Sequence, residues 1–287
     1  MRIARYRNDG RIRLGVLTSD TTIGELGDDL PDDVGALLAS DPKALATVAA
    51  RADFAADVAL AEVTLLAPIV RPPKFLAIGL NYAEHISETG MGEPGFPLFF
   101  NKQSTCITGP GGRIHVPKVS EQVDFEGELG VVIGQRCRHV PRDDARSVVA
   151  GYLVVNDVSV RDWQKSSPTM TLGKSFDTHG PIGPWLVTPD ELPDPHGLRL
   201  RTWVNGELMQ DASTSQMIRS VWEQIEVLST VCTLEPGDII ATGTPAGVGM
   251  ARDPQVWLRP GDTVRVEIEG IGAIENPVVV EPERVVH

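Results

Sequence analysis

The sequence predicts a β-rich α+β protein with few helices, one large domain and a small N-terminal α/β domain. Three observations predict it. From Phe75 onward, short apolar runs bounded by Gly and Pro recur: "FLAIG", "LGVVIG", "YLVVN", "GPWLVT", "LRLRTWVNG", "GDIIATG", "DTVRVEIEG" and "PVVV". That is the pattern of strands joined by tight turns. One long helical stripe stands out in "STSQMIRSVWEQIEVLSTVC" (213–232), where Met217, Val221, Ile225 and Leu228 share a face and Ser213 is placed to cap it. Strands and helices do not alternate regularly, which disfavours a Rossmann sheet.

Taken in order, the chain opens with a hairpin-like segment, Arg2–Thr18, followed by "LPDDVGALLAS" and "DPKALATVAARA". These read as two short Ala/Leu-rich helices with Asp and Pro at their starts. The segment "APIVRPPK" (67–74) reads as a linker, because paired prolines resist both helix and central strand. Residues 1–68 and 69–287 are thereby expected to form the small and the large domain. "PRDDARSVVA" (141–150) reads as a second, shorter helix in the large domain. "EPGD" (235–238) and "RPGD" (259–262) read as turns of one type that each launch a strand.

Bulk composition narrows the function. The chain has 287 residues, is 41% hydrophobic and 23% charged, and carries a net charge of −13. That composition supports a packed core, and the acidic balance argues against nucleic acid or an anionic membrane as partner. An anionic ligand must then be received by a few local cations or by a metal. No segment approaches the length of a membrane span, and the N-terminus lacks the apolar run of a signal peptide. Cys106, Cys137 and Cys232 form no metal spacing and no even disulfide framework, so the expected compartment is a reducing cytoplasm.

Three familiar motifs fail. "LGKSF" (172–176) lacks the upstream glycine of a phosphate loop, because position 168 is Pro. "GTPAGVG" (243–249) is not a dinucleotide fingerprint, and no G-x-S-x-G elbow occurs.

The motif that holds is acidic. In "VDFEGELGVVIG" (123–134), Glu126 and Glu128 are two apart in a run that otherwise reads as an apolar strand, so both project from one face. Exposed strand edges carry such pairs too. Here, however, an apolar run follows at once, and a third acid, Asp157, ends the strand of "GYLVVNDVS". Three carboxylates meeting where strands open into a cleft make a hard, oxygen-only site for Mg²⁺, Mn²⁺ or Ca²⁺ rather than Zn²⁺. Crowding also predicts that losing Glu126 relieves repulsion in the metal-free protein.

The ordered motifs "GLNYAEH", "DFEGELGVVIG", "NDVSVRDWQ", "GKSFDTHGPIGP", "VNGE…Q" and "PGDIIATGTPAGVG" resemble the fumarylacetoacetate hydrolase family across roughly residues 70–280. The resemblance implies a mixed-sheet α+β fold, a homodimer, a small 2-oxo acid substrate and a divalent metal on Glu126, Glu128 and Asp157. It further implies that His85 and Glu88, spaced i, i+3, form a base dyad on a short lid helix. Lys174 would reach the reacting carbonyl as oxyanion stabiliser or proton donor. Gln164 and Arg161, just after Asp157, can bind substrate oxygens, and Arg161 can equally brace the metal carboxylates. Thr244 offers a hydroxyl and an N–H at a strand end. His115, His139, His179, His196 and His287 sit without metal spacing, and no role is expected of them.

The leading expectation is a Mg²⁺- or Mn²⁺-dependent hydrolase that cleaves a C–C bond in acylpyruvate-type β-diketo acids. The same centre also serves an isomerase or decarboxylase of related 2-oxo or 2-hydroxydiene acids, such as a hydroxymuconate-type isomerase or an oxaloacetate decarboxylase. A non-catalytic module holding a structural ion is the alternative of another class. The dyad and Lys174 argue against it, since a structural ion needs no base beside it.

Overall fold

The computed structural model describes residues 1–51, 54 and 57–283. Its frame is a mixed sheet of twelve strands and a second sheet of five. Every apolar run singled out above forms a strand.

At the centre of the large sheet lie Gly180–Val187, Val149–Asn156, Gly127–Ile133, Ile239–Ala241, Phe75–Gly79 and Leu98–Lys102, in that spatial order. The N-terminal hairpin extends this sheet, because Arg2–Asn8 pairs antiparallel with Gly180–Val187. Its turn is Asp9-Gly10, both at positive φ, the two-residue connection whose twist suits a hairpin. The helices Val34–Ser40 and Ala44–Ala49 form where the Ala/Leu-rich stretches predicted them, and Asp33 caps the first by accepting from the Ala36 N–H.

The central strands are buried on both faces, which is why "YLVVN" reads as an unbroken apolar run rather than an alternation. Leu153 and Val155 pack with Leu37 and Val48 of the N-terminal helices. Tyr152 and Val154 pack with Leu200, Val264 and Ile274 of the five-stranded sheet. At Gly127 the two sheets approach closely. A Cβ there would lie 2.3 Å from the Thr202 hydroxyl, so the residue between the two glutamates is free of any side chain.

The "EPGD" and "RPGD" turns behave alike. Gly237 and Gly261 take positive φ, and Asp238 and Asp262 each accept from the backbone N–H three residues earlier, at 2.7 Å. Among the described residues, no helix is long and apolar enough to cross a membrane.

Two helical expectations need correction. The segment 141–150 is a 3₁₀ helix over Arg142–Val148 that gives way to a strand at Val149. The long helix starts at Val221, capped by Ser220, not at Ser213, which caps a separate short 3₁₀ turn, Thr214–Gln216. The stripe from Met217 to Val221 is interrupted because Asn81 captures the backbone between them. Asn81 accepts from the Arg219 N–H and donates to the carbonyls of Arg219 and Thr242, while its own carbonyl accepts from the Ile218 N–H. Tertiary hydrogen bonds here override local periodicity.

Asn81→Ala is therefore expected to cost about 2–3 kcal/mol, because it removes the side-chain acceptor of the Arg219 N–H and the side-chain donor to the Thr242 carbonyl. Urea unfolding of the variant checks this, and an unchanged midpoint would contradict it.

Candidate active site

Strand register builds the acidic centre. Gly127 lies opposite Asn156 and Glu128 opposite Val155. The next pair outward is thus Glu126 with Asp157, joined by a 2.8 Å hydrogen bond from the Asp157 N–H to the Glu126 carbonyl. Opposed residues share a face, and Glu128 follows two residues on. All three are buried, and one ligand atom from each lies within 4.8 Å of the others.

Three cations sit among these acids. Lys174 Nζ donates to Glu126 Oε2 at 2.5 Å and to Asp157 Oδ2 at 2.8 Å. Arg161 bonds the other Glu126 oxygen at 2.6 Å and Asp124 at 2.8 Å. Lys102 Nζ bonds Asp157 Oδ1 at 2.6 Å and also the main-chain carbonyl of Lys174. Asp124 is saturated, accepting from the N–H groups of Phe125, Gly249 and Met250 as well as from Arg161. It anchors the arginine and has little left for a metal.

Glu128 is the unbalanced member. Its hydrogen bond comes from the Gly243 N–H, at 2.8 Å, and no cation touches it. Burial, then the charges of Asp157 and Glu126, push its carboxyl well above the usual range. Burial pushes Glu126 up as well, but Lys174 and Arg161 outweigh it and hold that carboxyl at about 2. Burial opposes the Lys174 ammonium, yet Asp157 and Glu126 raise its pKa above the ordinary lysine value. Lys174 thus stays cationic at neutral pH, the state of an oxyanion stabiliser. The donor set is oxygen-only, convergent and one positive charge short, which fits a hard divalent cation on Glu126, Glu128 and Asp157.

Glu126, Glu128, Arg161, Gln164, Lys174, Thr244 and His85 all face one cavity of about 560 Å³. His85 stands on the helix Ala83–Thr89, which ends at Gly90 in the left-handed conformation. Its Nδ1 lies 2.7 Å from Glu88 Oε1, and the other Glu88 oxygen accepts from the Gly247 N–H at 2.8 Å. An ionised carboxylate can only accept, so in the neutral imidazole this contact puts the proton on Nδ1 and the lone pair on Nε2. Gly247 is required at that contact, since a Cβ would lie 2.1 Å from the Met209 carbonyl.

The remaining expected residues are also placed. Gln164 accepts from Arg161 at 2.9 Å and faces the cavity. Thr244 donates its hydroxyl proton to the Gly127 carbonyl, so its backbone N–H is the group it offers a ligand. Lys174 ends a short helix, Thr171–Lys174, rather than lying in an open turn, and is buried. His179, near Lys174 in sequence, turns away to the His115 carbonyl, and burial lowers its imidazole to about 3. His287 lies outside the described residues.

Lys102, Asp124 and Gln210 were not singled out as site residues. Gln210 accepts from the Gly127 N–H and donates to the Thr244 hydroxyl, so it fixes the strand between the glutamates. Asp124 had a signal, since it precedes Glu126 by two residues and shares its face. Lys102, at the end of "LFFNK", had none.

Comparison with known proteins follows this geometry. Residues 74–279 match the family model "Fumarylacetoacetate (FAA) hydrolase C-terminal". The chain belongs to the fumarylacetoacetate hydrolase family. Residues 1–68 match a second model, "Rv2993c-like, N-terminal". An oxaloacetate tautomerase of Bos taurus (FAHD2B, mitochondrial) is 49% identical over 76% of this chain and 70% of its own. The crystal structure of a 5-carboxymethyl-2-hydroxymuconate delta-isomerase from Mycobacterium smegmatis matches with TM-score 0.80 and 36% identity, covering 99% of this chain and all of that one. Maleylpyruvate hydrolase from Sphingobium sp. SYK-6, solved with manganese(II) and pyruvate, matches with TM-score 0.81 and 32% identity, covering 98% of this chain and 100% of that one. The family's fold and the expected mixed-sheet architecture therefore hold for this chain.

The charge distribution corrects the expectation for Glu126. Removing it strands Lys174 and Arg161, so Glu126→Gln is expected to destabilise the metal-free protein by about 3 kcal/mol. Relief of repulsion belongs to Glu128 instead, and Glu128→Gln should raise the metal-free Tm while abolishing the Mg²⁺-induced rise. Because burial and two neighbouring carboxylates raise the Glu128 pKa while a cation binds the deprotonated form, Mg²⁺ affinity should strengthen as pH increases, with proton release. Calorimetry in buffers of different ionisation enthalpy reads that release, and pH-independent binding would contradict it.

Proposed function

We propose that this chain is a divalent-metal-dependent enzyme that moves a proton at the carbon beside the ketone of a 2-oxo acid, interconverting keto, enol or double-bond isomers. The observation that carries this reading is the His85–Glu88 pair, which sets His85 on the wall of the cavity that Glu126 and Glu128 also line. Glu126, Glu128 and Asp157 would hold the cation. When bound, it supplies Lewis-acid charge next to the oxo acid's oxygens.

The chain's own groups do the rest. Glu88 fixes the imidazole so that Nε2 takes the proton from carbon and returns it. Lys174, cationic and already oriented by two carboxylates, donates to the oxygen on which negative charge develops. Ile78, Leu98 and Phe100 line the same cavity and keep water from competing for the base. The relatives named as tautomerase and isomerase support proton transfer over bond cleavage.

Hydrolysis of an acylpyruvate, placed first on the sequence alone, is the second reading. It is favoured by the maleylpyruvate hydrolase neighbour, whose structure holds manganese and pyruvate. In that reaction the same His85 Nε2 would activate water instead of a carbon acid.

Ultraviolet assays of enol–keto exchange in oxaloacetate and of acetylpyruvate cleavage, each with Mg²⁺ and with EDTA, separate the two readings. Metal-dependent exchange faster than cleavage is expected. Cleavage without exchange would replace the first reading by the second, and carbon dioxide release from oxaloacetate would indicate a decarboxylase. His85→Ala should lower kcat/KM by about 10²–10⁴ while leaving Mg²⁺ affinity unchanged. Undiminished turnover in that variant would remove His85 from the chemistry.

A further inference from the structure

The Gly247 N–H holds one oxygen of Glu88, and through Glu88 it bears on His85. Gly247 lies on an irregular segment between the strand Ile239–Ala241 and the short 3₁₀ helix Gly249–Ala251. It stands at φ +105°, a conformation that glycine adopts freely and other residues rarely do. The aim of its N–H therefore depends on what bonds the rest of the residue.

Arg252 bonds it. Its Nε donates to the Gly247 carbonyl at 3.2 Å, and its Nη2 to the Met209 carbonyl at 2.6 Å. Met209 is the unpaired residue of a β-bulge in the strand Glu207–Ser213, since Trp203 pairs with Leu208 and Thr202 with Gln210. Both donors are thus spent on main-chain oxygens rather than on an acid, and the planar guanidinium fixes the two carbonyls relative to each other. Arg252 is half-buried, and the cavity lining reaches Met250 but not Arg252. The contacts run from Arg252 to Gly247, from Gly247 to Glu88 and from Glu88 to His85, at 3.2, 2.8 and 2.7 Å. Glu128 draws its own backbone partner from Gly243, which is anchored separately. The N–H and the hydroxyl of neighbouring Thr242 both donate to the Leu129 carbonyl.

We infer that Arg252 is a positioning residue for His85: by clamping Gly247 to the five-stranded sheet, it aims the Gly247 N–H at Glu88 and so sets the imidazole's tautomer and direction. This rests on the proposed role of His85 as base. Without the clamp, Gly247 is free to turn, and Glu88 loses the donor that keeps its other oxygen on Nδ1. Proton transfer at Nε2 depends on alignment, and a misplacement of about 1 Å costs up to about 10²-fold in rate. The metal carboxylates have other anchors, so cation binding should not register the change.

Steady-state kinetics with Mg²⁺ test this, on whichever of oxaloacetate exchange and acetylpyruvate cleavage the wild type catalyses. Arg252→Met should lower kcat about tenfold and leave KM and Mg²⁺ affinity within about twofold. Arg252→Lys, which keeps a donor but not the fork, should lose less. Combined with His85→Ala, neither substitution should slow the residual rate further, because both act through one contact. Nitrogen NMR of the histidine-labelled, metal-free protein gives a readout apart from turnover. The His85 signal, assigned by its absence from His85→Ala, should report Nδ1–H in the wild type and mixed tautomers in Arg252→Met. A residue that serves stability alone would lower Tm and leave kcat and the tautomer unchanged. That result, or additive losses in the double variants, would overturn the inference with His85 still the base. Full turnover by His85→Ala, or a wild type that catalyses neither reaction, would remove the reading of His85 and this inference with it.

Discussion

One buried acid without a cationic partner governs this molecule. Asp124, Glu126, Glu128 and Asp157 are buried together with Lys102, Arg161 and Lys174, four potential anions against three cations. Buried charges persist only when paired and hydrogen-bonded, and six of these groups are. Glu128 is left with a backbone N–H. Burial and the two neighbouring carboxylates therefore favour its protonated form. A divalent cation held by Glu126, Glu128 and Asp157 would compete with that proton and balance the cluster. The same imbalance makes the two neighbouring glutamates opposite in character: one is pinned by two cations, the other waits for one.

The fold holds this arrangement through backbone placement more than through side-chain packing. The pairing of Gly127–Ile133 with Val149–Asn156 sets Asp157 across from Glu126. Gln210, from the second sheet, ties down the Gly127 N–H, and the bare Gly127 lets that sheet approach. Lys174 arrives on a helix packed backbone-to-backbone against Arg161–Lys165. A Cβ at Gly173 would lie 2.2 Å from the Gln164 amide nitrogen. The cations and the acids therefore belong to separate elements whose spacing is fixed by glycine contacts. Small changes in that spacing would alter the charge balance before they altered the core.

Much of this was legible in the sequence, for reasons that differ from residue to residue. Glu126 and Glu128 were visible because strand alternation places them on one face and apolar neighbours make charge conspicuous there. Asp157 was visible because it ends an apolar strand. His85, Glu88, Lys174, Arg161 and Gln164 gained their expected roles from the order of motifs, and the cavity brings His85, Lys174, Arg161 and Gln164 together with the acids. Lys102 stayed hidden because it acts across a strand register that no local pattern encodes, and Gln210 closes the "VNGE…Q" motif but acts across a sheet interface that gave it no visible role. The misplaced start of the Val221–Val231 helix has the same origin. Met217 and Val221 keep helical spacing, but Asn81, 136 positions earlier than Met217, decides the backbone between them. Local periodicity describes what a segment prefers, whereas these hydrogen bonds describe what the remainder of the chain allows.

A single cavity lined by both charged and apolar side chains is consistent with relatives named tautomerase, isomerase and hydrolase sharing one architecture. Glu126, Arg161 and Lys174 are locked by mutual charge, so a substitution there is costly. In the proposed chemistry His85 Nε2 serves as base in either reaction. If the apolar wall brings a carbon-bound proton to it, the outcome is a shifted double bond. If that wall admits water beside a second carbonyl, the outcome is cleavage. In that reading the choice falls to side chains such as Met91 and Leu98, which line the same cavity without bonding to the buried charges and so can vary at little cost to them.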